Sequence, residues 1–279
     1  MTGIVKEKSD ELTLKGASWF RVGLRKFMKR KTAMIGLVII GIYIFVGAFA
    51  PILILHDPVA VSDDALFPPC SEYPFGTDIY GRCVYSRVVY GVRVSLIVGF
   101  VAVFIALTVG VAIGLIAGFF GGKIDTMLMR GIDIIMAIPT LLLALAISAT
   151  LGPSLRNVMW AVGLSTAPEY ARVIRSRVLS IKEETYIEAA RALGMGDMYI
   201  ILRHVLPNCL GSLIVLATLQ IPSTIIWASS LSFLGMGVQP PTPEWGADLS
   251  FNREWLVSGK WWLILFLSLI HISEPTRPY

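Results

Sequence analysis

The 279-residue chain is 55% hydrophobic and only 15% charged, and its mean hydropathy is +0.72. Soluble domains are typically about 45–50% apolar and about 25% charged, so this composition excludes an ordinary soluble domain. Nine Lys and Arg residues lie within 1–31 against three acids, and such a cluster before an apolar run is typical of a cytoplasmic membrane anchor rather than a nucleic-acid surface.

The N-terminal segment, residues 1–32, is expected to lie in the cytoplasm. It is too polar, and the apolar run after it too long, for a secretory signal. Trp19, Phe20, Leu24 and Phe27 fall close to one helical face. This spacing predicts an amphipathic helix at the membrane interface, and a solvated basic leader is the alternative.

Six apolar segments follow, and each is a candidate membrane-spanning helix because a span needs about 20 mostly apolar residues. The second contains Gly110, Gly114 and Gly118, whose spacing of four allows close helix packing. The sixth has only about twelve apolar residues, too few to cross a bilayer. The predicted spans are residues 33–55, 95–120, 132–151, 158–174, 210–238 and a truncated one from 261.

The distribution of charge predicts the orientation of these spans. Segment 172–203 has six basic residues and, like the N-terminus, is assigned to the cytoplasm. Segment 56–93 begins with acidic residues and is assigned to the outside. The polar insert 175–208 then falls inside, after the fourth span, and 123–130 is a short cytoplasmic turn.

The insert is predicted to form two short helices. Residues 182–193 are rich in helix-favouring residues, and Gly194 and Gly196 then break the helix. Ala189 and Ala190 leave a small-residue surface that a partner can approach.

The second predicted helix of the insert covers residues 198–205. Asp197 is expected to cap it and Pro207 to end it. A solvated helical connection without a partner is the alternative interpretation.

Glu188-Ala189-Ala190, followed by Gly194 and then by Leu206-Pro207, resembles the cytoplasmic loop through which membrane subunits of ATP-driven importers contact their ATPase. Further segments resemble dipeptide, oligopeptide and nickel permeases, in particular the second permease subunit. These are YPFGTDIYGRCVYSRVVYGVRVSL (73–96), AIPTLLLALAI (137–147) and LSFLGMGVQPPTPEWG (231–246).

The resemblance implies an all-α polytopic membrane protein with the type I ABC importer permease (MetI-like) fold. The N-terminal segment 1–32 and the first span are followed by the outer loop 56–93. A permease domain at 94–266 contains the insert 175–208. The tail 267–279 includes LSLIHISEPTR, which looks like a translated sequencing adapter, so we expect the natural sequence to depart near residue 266.

The same resemblance implies a multi-pass permease of the cell membrane that moves di- or oligopeptides or nickel and is not itself an enzyme. Its implied partners are a related first permease (forming a heterodimer), two ATP-binding subunits and an extracytoplasmic solute-binding protein. ATP would be used by the partner subunits, and no cofactor is expected in this chain. The residues implied to couple to the ATPase are Glu188, Ala189, Ala190, Ala192, Leu193, Gly194, Met195, Gly196, Asp197, Leu206 and Pro207.

Cysteines and intramembrane acids leave alternatives open. Cys83 stands where the family usually has Asp, and with Cys70 it could form a disulfide outside the membrane, or both could be free thiols. Cys209 is expected to be a small packing residue. Glu169 and Asp133 are interpreted as interfacial acids that pair with a nearby Arg.

Two other classes of protein compete with the importer hypothesis. A secondary transporter or channel would work without ATP, but no internal repeat and few intramembrane charges are seen. A membrane enzyme is disfavoured because the sequence has no His-Glu-x-x-His pair, G-x-S-x-G elbow or P-loop.

Overall fold

The structure, a computed structural model, describes residues 30–256 and 258–266. These residues form helices and connecting segments, with no strand among them, which confirms the all-α prediction. The helices are α1 Lys31–Leu53, α2 Val84–Phe120, α3 Gly122–Met136, α4 Thr140–Leu151, α5 Leu155–Lys182, α6 Thr185–Ala192, α7 Asp197–Ile200, a π-helical turn Ile201–Val205, α8 Leu206–Phe233, α9 Trp245–Asn252 and a 3-10 turn Arg253–Leu256.

Three helical rods within the described ranges are long and apolar enough to cross a membrane: Lys31–Leu53, Val84–Phe120 and Asp197–Phe233. A fourth is counted if α3 and α4 form one bent span. Helix α5 covers the predicted fourth span but is less apolar than those three. The predicted amphipathic helix, the tail 267–279 and the part of the sixth span after residue 266 lie outside the described residues.

Helix α2 begins at Val84, well before the predicted start of the second span at residue 95. The last part of the predicted loop 56–93 is therefore helical, and that boundary was wrong. Arg87 and Arg93 interrupt the apolar pattern in the sequence. Arg87 is nevertheless buried, because its charge is neutralised by an acid distant in the chain.

The third predicted span is broken. Helix α3 already begins at Gly122, so the predicted turn at 123–130 is helical, and α3 meets α4 at an angle of 91°. The break lies at Ile138 and Pro139. Proline has no N–H to donate and disfavours helical geometry in the residue before it, which explains the position of the bend.

The core of the bundle is the close contact between α2 and α5, against which α1 and α8 also pack. A Cβ atom placed on Gly110 would lie 2.5 Å from the carbonyl oxygen of Ala167, and one on Gly114 would lie 2.6 Å from that of Ala171. At Gly118 the same atom would come within 2.8 Å of an α5 side chain. The predicted small-residue packing face is therefore present, and α5 is its partner.

Candidate functional site

The insert forms a compact segment at one end of the bundle, which we call the coupling segment (residues 184–207). Glu184 precedes α6, and a turn at 193–196 leads into α7. The first helix is shorter than the predicted 182–193, because Lys182 is the last residue of α5. Gly194 has φ +77°, a left-handed conformation that favours glycine, as the predicted helix break requires.

The second helix does not end at Pro207, so that prediction was wrong. Helix α7, the π-helical turn and α8 form one continuous rod, with Pro207 in the first turn of α8. The Leu206 N–H donates to the carbonyl of Ile201 in the wider π register. The Asn208 side-chain amide donates to the His204 carbonyl at 2.6 Å.

Asp197 was predicted to cap the second helix, and this is also wrong. Gly196 occupies the N-cap position, and Asp197 is the first residue of α7, with no side-chain capping hydrogen bond. The chain leaves the Gly194 turn in an extended conformation at Gly196, so the helix begins one residue earlier than it would with Asp197 as its cap.

One face of the coupling segment is buried against the bundle. Ile187 and Ala190 of α6, with Ile200 and Val205 of the following helix, join the same hydrophobic cluster as Ile174. The cluster continues into α2 and α5 through Leu115, Phe119, Tyr170 and Val178. The segment is therefore packed onto the two central helices rather than suspended as a solvated loop.

The opposite face of the coupling segment is exposed. Leu193 is 78% exposed and Met198 is 63% exposed, an unusual position for two large apolar side chains on a polar connection. Of the residues implied to couple to an ATPase, Ala190 is buried and Leu206 is half-buried. The exposed ones are Glu188, Ala189, Ala192, Leu193, Gly194, Met195, Gly196, Asp197 and Pro207. Exposed apolar side chains with polar neighbours are typical of a protein–protein contact surface.

Polar contacts link the coupling segment and the helices at this end of the bundle. The Arg191 guanidinium lies 5.2 Å from the centroid of the Phe119 ring, and the Lys182 ammonium donates to the Phe119 carbonyl at 3.4 Å. Arg175 of α5 donates two hydrogen bonds to Asp125 of α3, at 2.5 and 2.6 Å. These contacts join α2, α3 and α5 beneath the coupling segment.

Two segments of the chain form a cap at the other end of the bundle: residues 56–83, and residues 238–252, which include α9. Within it Asp78 accepts backbone N–H bonds from Tyr80 and Arg82 and an Arg82 side-chain bond at 2.6 Å. Gly76 and Gly81 have φ +72° and +70°. The GTD-x-x-GR pattern therefore builds a tight buried turn, a role that sequence reasoning did not assign.

A buried ion pair joins the cap to α2. The Arg87 guanidinium donates to both carboxylate oxygens of Asp248, with nitrogen–oxygen distances of 2.5–3.1 Å, and both residues are almost fully buried. It also donates to the carbonyls of Pro58, Pro241 and Thr242, at 2.8, 3.1 and 3.5 Å. One side chain thus connects three segments of the chain. Sequence reasoning missed it because Arg87 and Asp248 are 161 positions apart.

The cysteines are all free thiols, so no disulfide joins Cys70 and Cys83 here. The Cys70 sulfur accepts the Tyr73 N–H at 3.3 Å, and Cys83 is buried at the start of α2. Cys209 is buried in the hydrophobic cluster, as expected of a packing residue.

The two acids of the spans have different partners. Asp133 pairs with Arg172 at 2.6 Å, as predicted. Among the residues that the structure describes, Glu169 pairs with no arginine, contrary to the prediction, and it accepts a hydrogen bond from the Gln220 side chain of α8. Within the described ranges no group of three or more His, Cys, Asp or Glu could hold a metal ion.

These features define a helical membrane protein with a packed helical segment at one end of its bundle. Residues 110–273 match the family of binding-protein-dependent transport system inner membrane components, and residues 18–69 match the N-terminal TM domain of oligopeptide transport permease C. The chain belongs to this family of transport permeases, which confirms its identification as a second permease subunit of a peptide-type ABC importer.

Curated relatives and a solved structure agree with this assignment. The chain is 44% identical to the dipeptide transport system permease protein DppC of Alkalihalophilus pseudofirmus, over 87% of this chain and 80% of the relative. It is 42% identical to the glutathione transport system permease protein GsiD of Escherichia coli O6:K15:H31, over 82% and 76%.

The structure also resembles a chain of the MetNI methionine ABC transporter in an inward-facing conformation. The TM-score is 0.52 at 20% identity, over 67% of this chain and 90% of that chain. A likeness at this identity concerns the fold alone, and it agrees with the MetI-like fold that the sequence predicts.

Proposed function

We propose that this chain is the second permease subunit of an importer of di- or oligopeptides, driven by ATP hydrolysis on partner subunits. The observation that carries the proposal is the coupling segment, which is packed on the central helices on one face and exposes apolar side chains on the other. Dipeptide and glutathione permeases among its relatives support peptides over nickel as the substrate.

The proposed partners are a related first permease, two ATP-binding subunits and an extracytoplasmic solute-binding protein. We place the coupling segment and the N-terminus on the cytoplasmic side of the cell membrane. Support comes from the basic residues Arg175, Arg177, Lys182 and Arg191 at the same end of the bundle, because cytoplasmic ends are enriched in Lys and Arg. The cap is then extracytoplasmic.

Coupling in this proposal is mechanical. A ligand-driven change shifts a permease between states only if the partner makes different contacts in each state. The residues assigned to the ATPase contact are the exposed ones on α6, the Gly194 turn and α7. Because Ile187 and Ala190 are buried against α2 and α5, motion of α6 is passed to the helices as a rigid-body displacement.

A bulky side chain on the exposed face tests the proposal. Ala189 is exposed, so Ala189→Trp leaves the buried cluster intact but obstructs a partner at that surface. Lys123→Trp is the matched control, since Lys123 is exposed near the same end of the bundle and lies outside the coupling segment.

The complete importer, reconstituted in proteoliposomes, is assayed for retention of ATP-binding subunits and for ATP-dependent uptake of labelled Ala-Ala. Ala189→Trp is expected to abolish both, and Lys123→Trp neither. Full uptake by Ala189→Trp, or Ala-Ala uptake by the native complex without nucleotide, would contradict the proposal.

A further inference from the structure

Glu169 and Gln220 form a polar pair between helices α5 and α8. Each lies at the middle of its 28-residue helix, Glu169 in α5 and Gln220 in α8. The Gln220 side-chain amide donates to one Glu169 oxygen. Both residues are only half-buried, so the pair faces a surface of this subunit rather than its core.

The Glu169 carboxylate has no cationic partner in the described part of the chain. The ion pairs found there are Arg82–Asp78, Arg87–Asp248, Arg172–Asp133 and Arg175–Asp125. An ionised carboxylate inside a membrane protein's helices is costly, and such groups usually pair or mark a pathway for a polar solute. Glu169 therefore has a free oxygen that can accept bonds from a positively charged group.

We propose that Glu169 and Gln220 form a midpoint site, between the middles of α5 and α8, that binds the α-ammonium group of a peptide in transit. An ammonium group has three N–H donors and no acceptor, which suits a site made mostly of oxygen acceptors with a single negative charge. The inference rests on the proposed function as a peptide permease.

Glu169→Gln tests the site, because it removes the charge and keeps a carbonyl oxygen for the Gln220 amide. Asp133→Asn is the control, since Asp133 is an exposed acid that already pairs with Arg172. Losing one charge-assisted hydrogen bond to the substrate predicts a fall of about tenfold or more in ATP-dependent Ala-Ala uptake by the Glu169→Gln importer. Subunit assembly and ATP hydrolysis are expected to be unchanged, as is uptake by Asp133→Asn.

A second measurement separates a solute site from a structural bond. Dicyclohexylcarbodiimide, which modifies carboxyl groups in membranes, is expected to label the native chain and the Asp133→Asn chain but not Glu169→Gln. Ala-Ala with ATP is expected to protect the native chain. Labelling without protection would overturn the site, and absence of labelling would indicate a fixed cation from a partner subunit and overturn it too.

The two proposals fail in different ways. If the native importer takes up no Ala-Ala with ATP, the peptide function is wrong. If the native importer takes it up and Glu169→Gln does so at the same rate, only the midpoint site is wrong. Loss of assembly or of ATP hydrolysis in Glu169→Gln would assign Glu169 a structural role and overturn the site.

Discussion

The buried Arg87–Asp248 pair makes the sharpest stability prediction. Asp248→Asn keeps the shape of the side chain but removes the charge opposite an almost fully buried guanidinium. Arg87 would keep its bonds to the carbonyls of Pro58, Pro241 and Thr242, but these carry no full negative charge. Breaking a buried ion pair by removing one partner costs about 3–5 kcal/mol, because the remaining charge is left uncompensated.

The loss should appear as a lower melting temperature of the purified protein. One kcal/mol corresponds to about 2–4 °C for proteins of 150–250 residues, so Asp248→Asn is expected to lower Tm on the order of 10 °C. Arg87→Met with Asp248→Leu removes both charges and should recover much of the loss, since apolar replacements of buried pairs are often neutral.

The Tm of the native protein and of both variants is measured in detergent by thermal unfolding followed by intrinsic fluorescence. Arg172→Gln is the control, because that arginine is exposed and its ion pair is worth at most about 1 kcal/mol. An Asp248→Asn protein as stable as the native one would refute the reasoning. So would a double variant that melts no higher than the single one.

Three further predictions concern glycines and the exposed face. Gly194→Ala forces a residue with a side chain into φ +77° and should destabilise the protein by about 1 kcal/mol in thermal unfolding. Gly196→Ala is the control and should have little effect, because Gly196 has φ −68°. Equal Tm values for the two variants would argue against the left-handed turn at Gly194. Gly114→Val should lower the yield of folded protein on size-exclusion chromatography, because the new Cβ atom would lie 2.6 Å from an α5 carbonyl oxygen. Gly131→Val is the control and should not lower the yield, because Gly131 has open space around it. Equal yields would contradict the close packing of α2 and α5. Leu193→Asp should reduce co-purification of ATP-binding subunits without changing Tm, since the side chain is 78% exposed, and unchanged co-purification would exclude it from the contact.

Local patterns in the sequence predicted much of the fold. Apolar run length predicted the first span close to Lys31–Leu53, and the glycine spacing at 110, 114 and 118 predicted the α2 packing face. Both patterns depend only on residues that lie within a few helical turns of one another in the sequence. The Gly194 break was equally local, because a left-handed turn requires a residue without a side chain.

Long-range pairing explains most of the errors. The second span was predicted to begin at residue 95, and the partner that lets Arg87 be buried in the same helix, Asp248, cannot be identified from spacing. The Gln220 partner of Glu169 was hidden for the same reason. Pro207 was interpreted as a helix end, but a proline in the first turn of a helix is tolerated, and only the π register before it shows that the rod continues.

The coupling segment as an ATPase contact is the central claim, and a photocrosslinking amino acid at Met195 tests it most directly. Met195 lies on the exposed turn between α6 and α7. In the assembled importer, illumination is expected to join this chain to an ATP-binding subunit, with a yield that changes when ATP is added. A crosslink to the solute-binding protein instead, or a chain that crosslinks to no ATP-binding subunit in an importer active in transport, would contradict the claim.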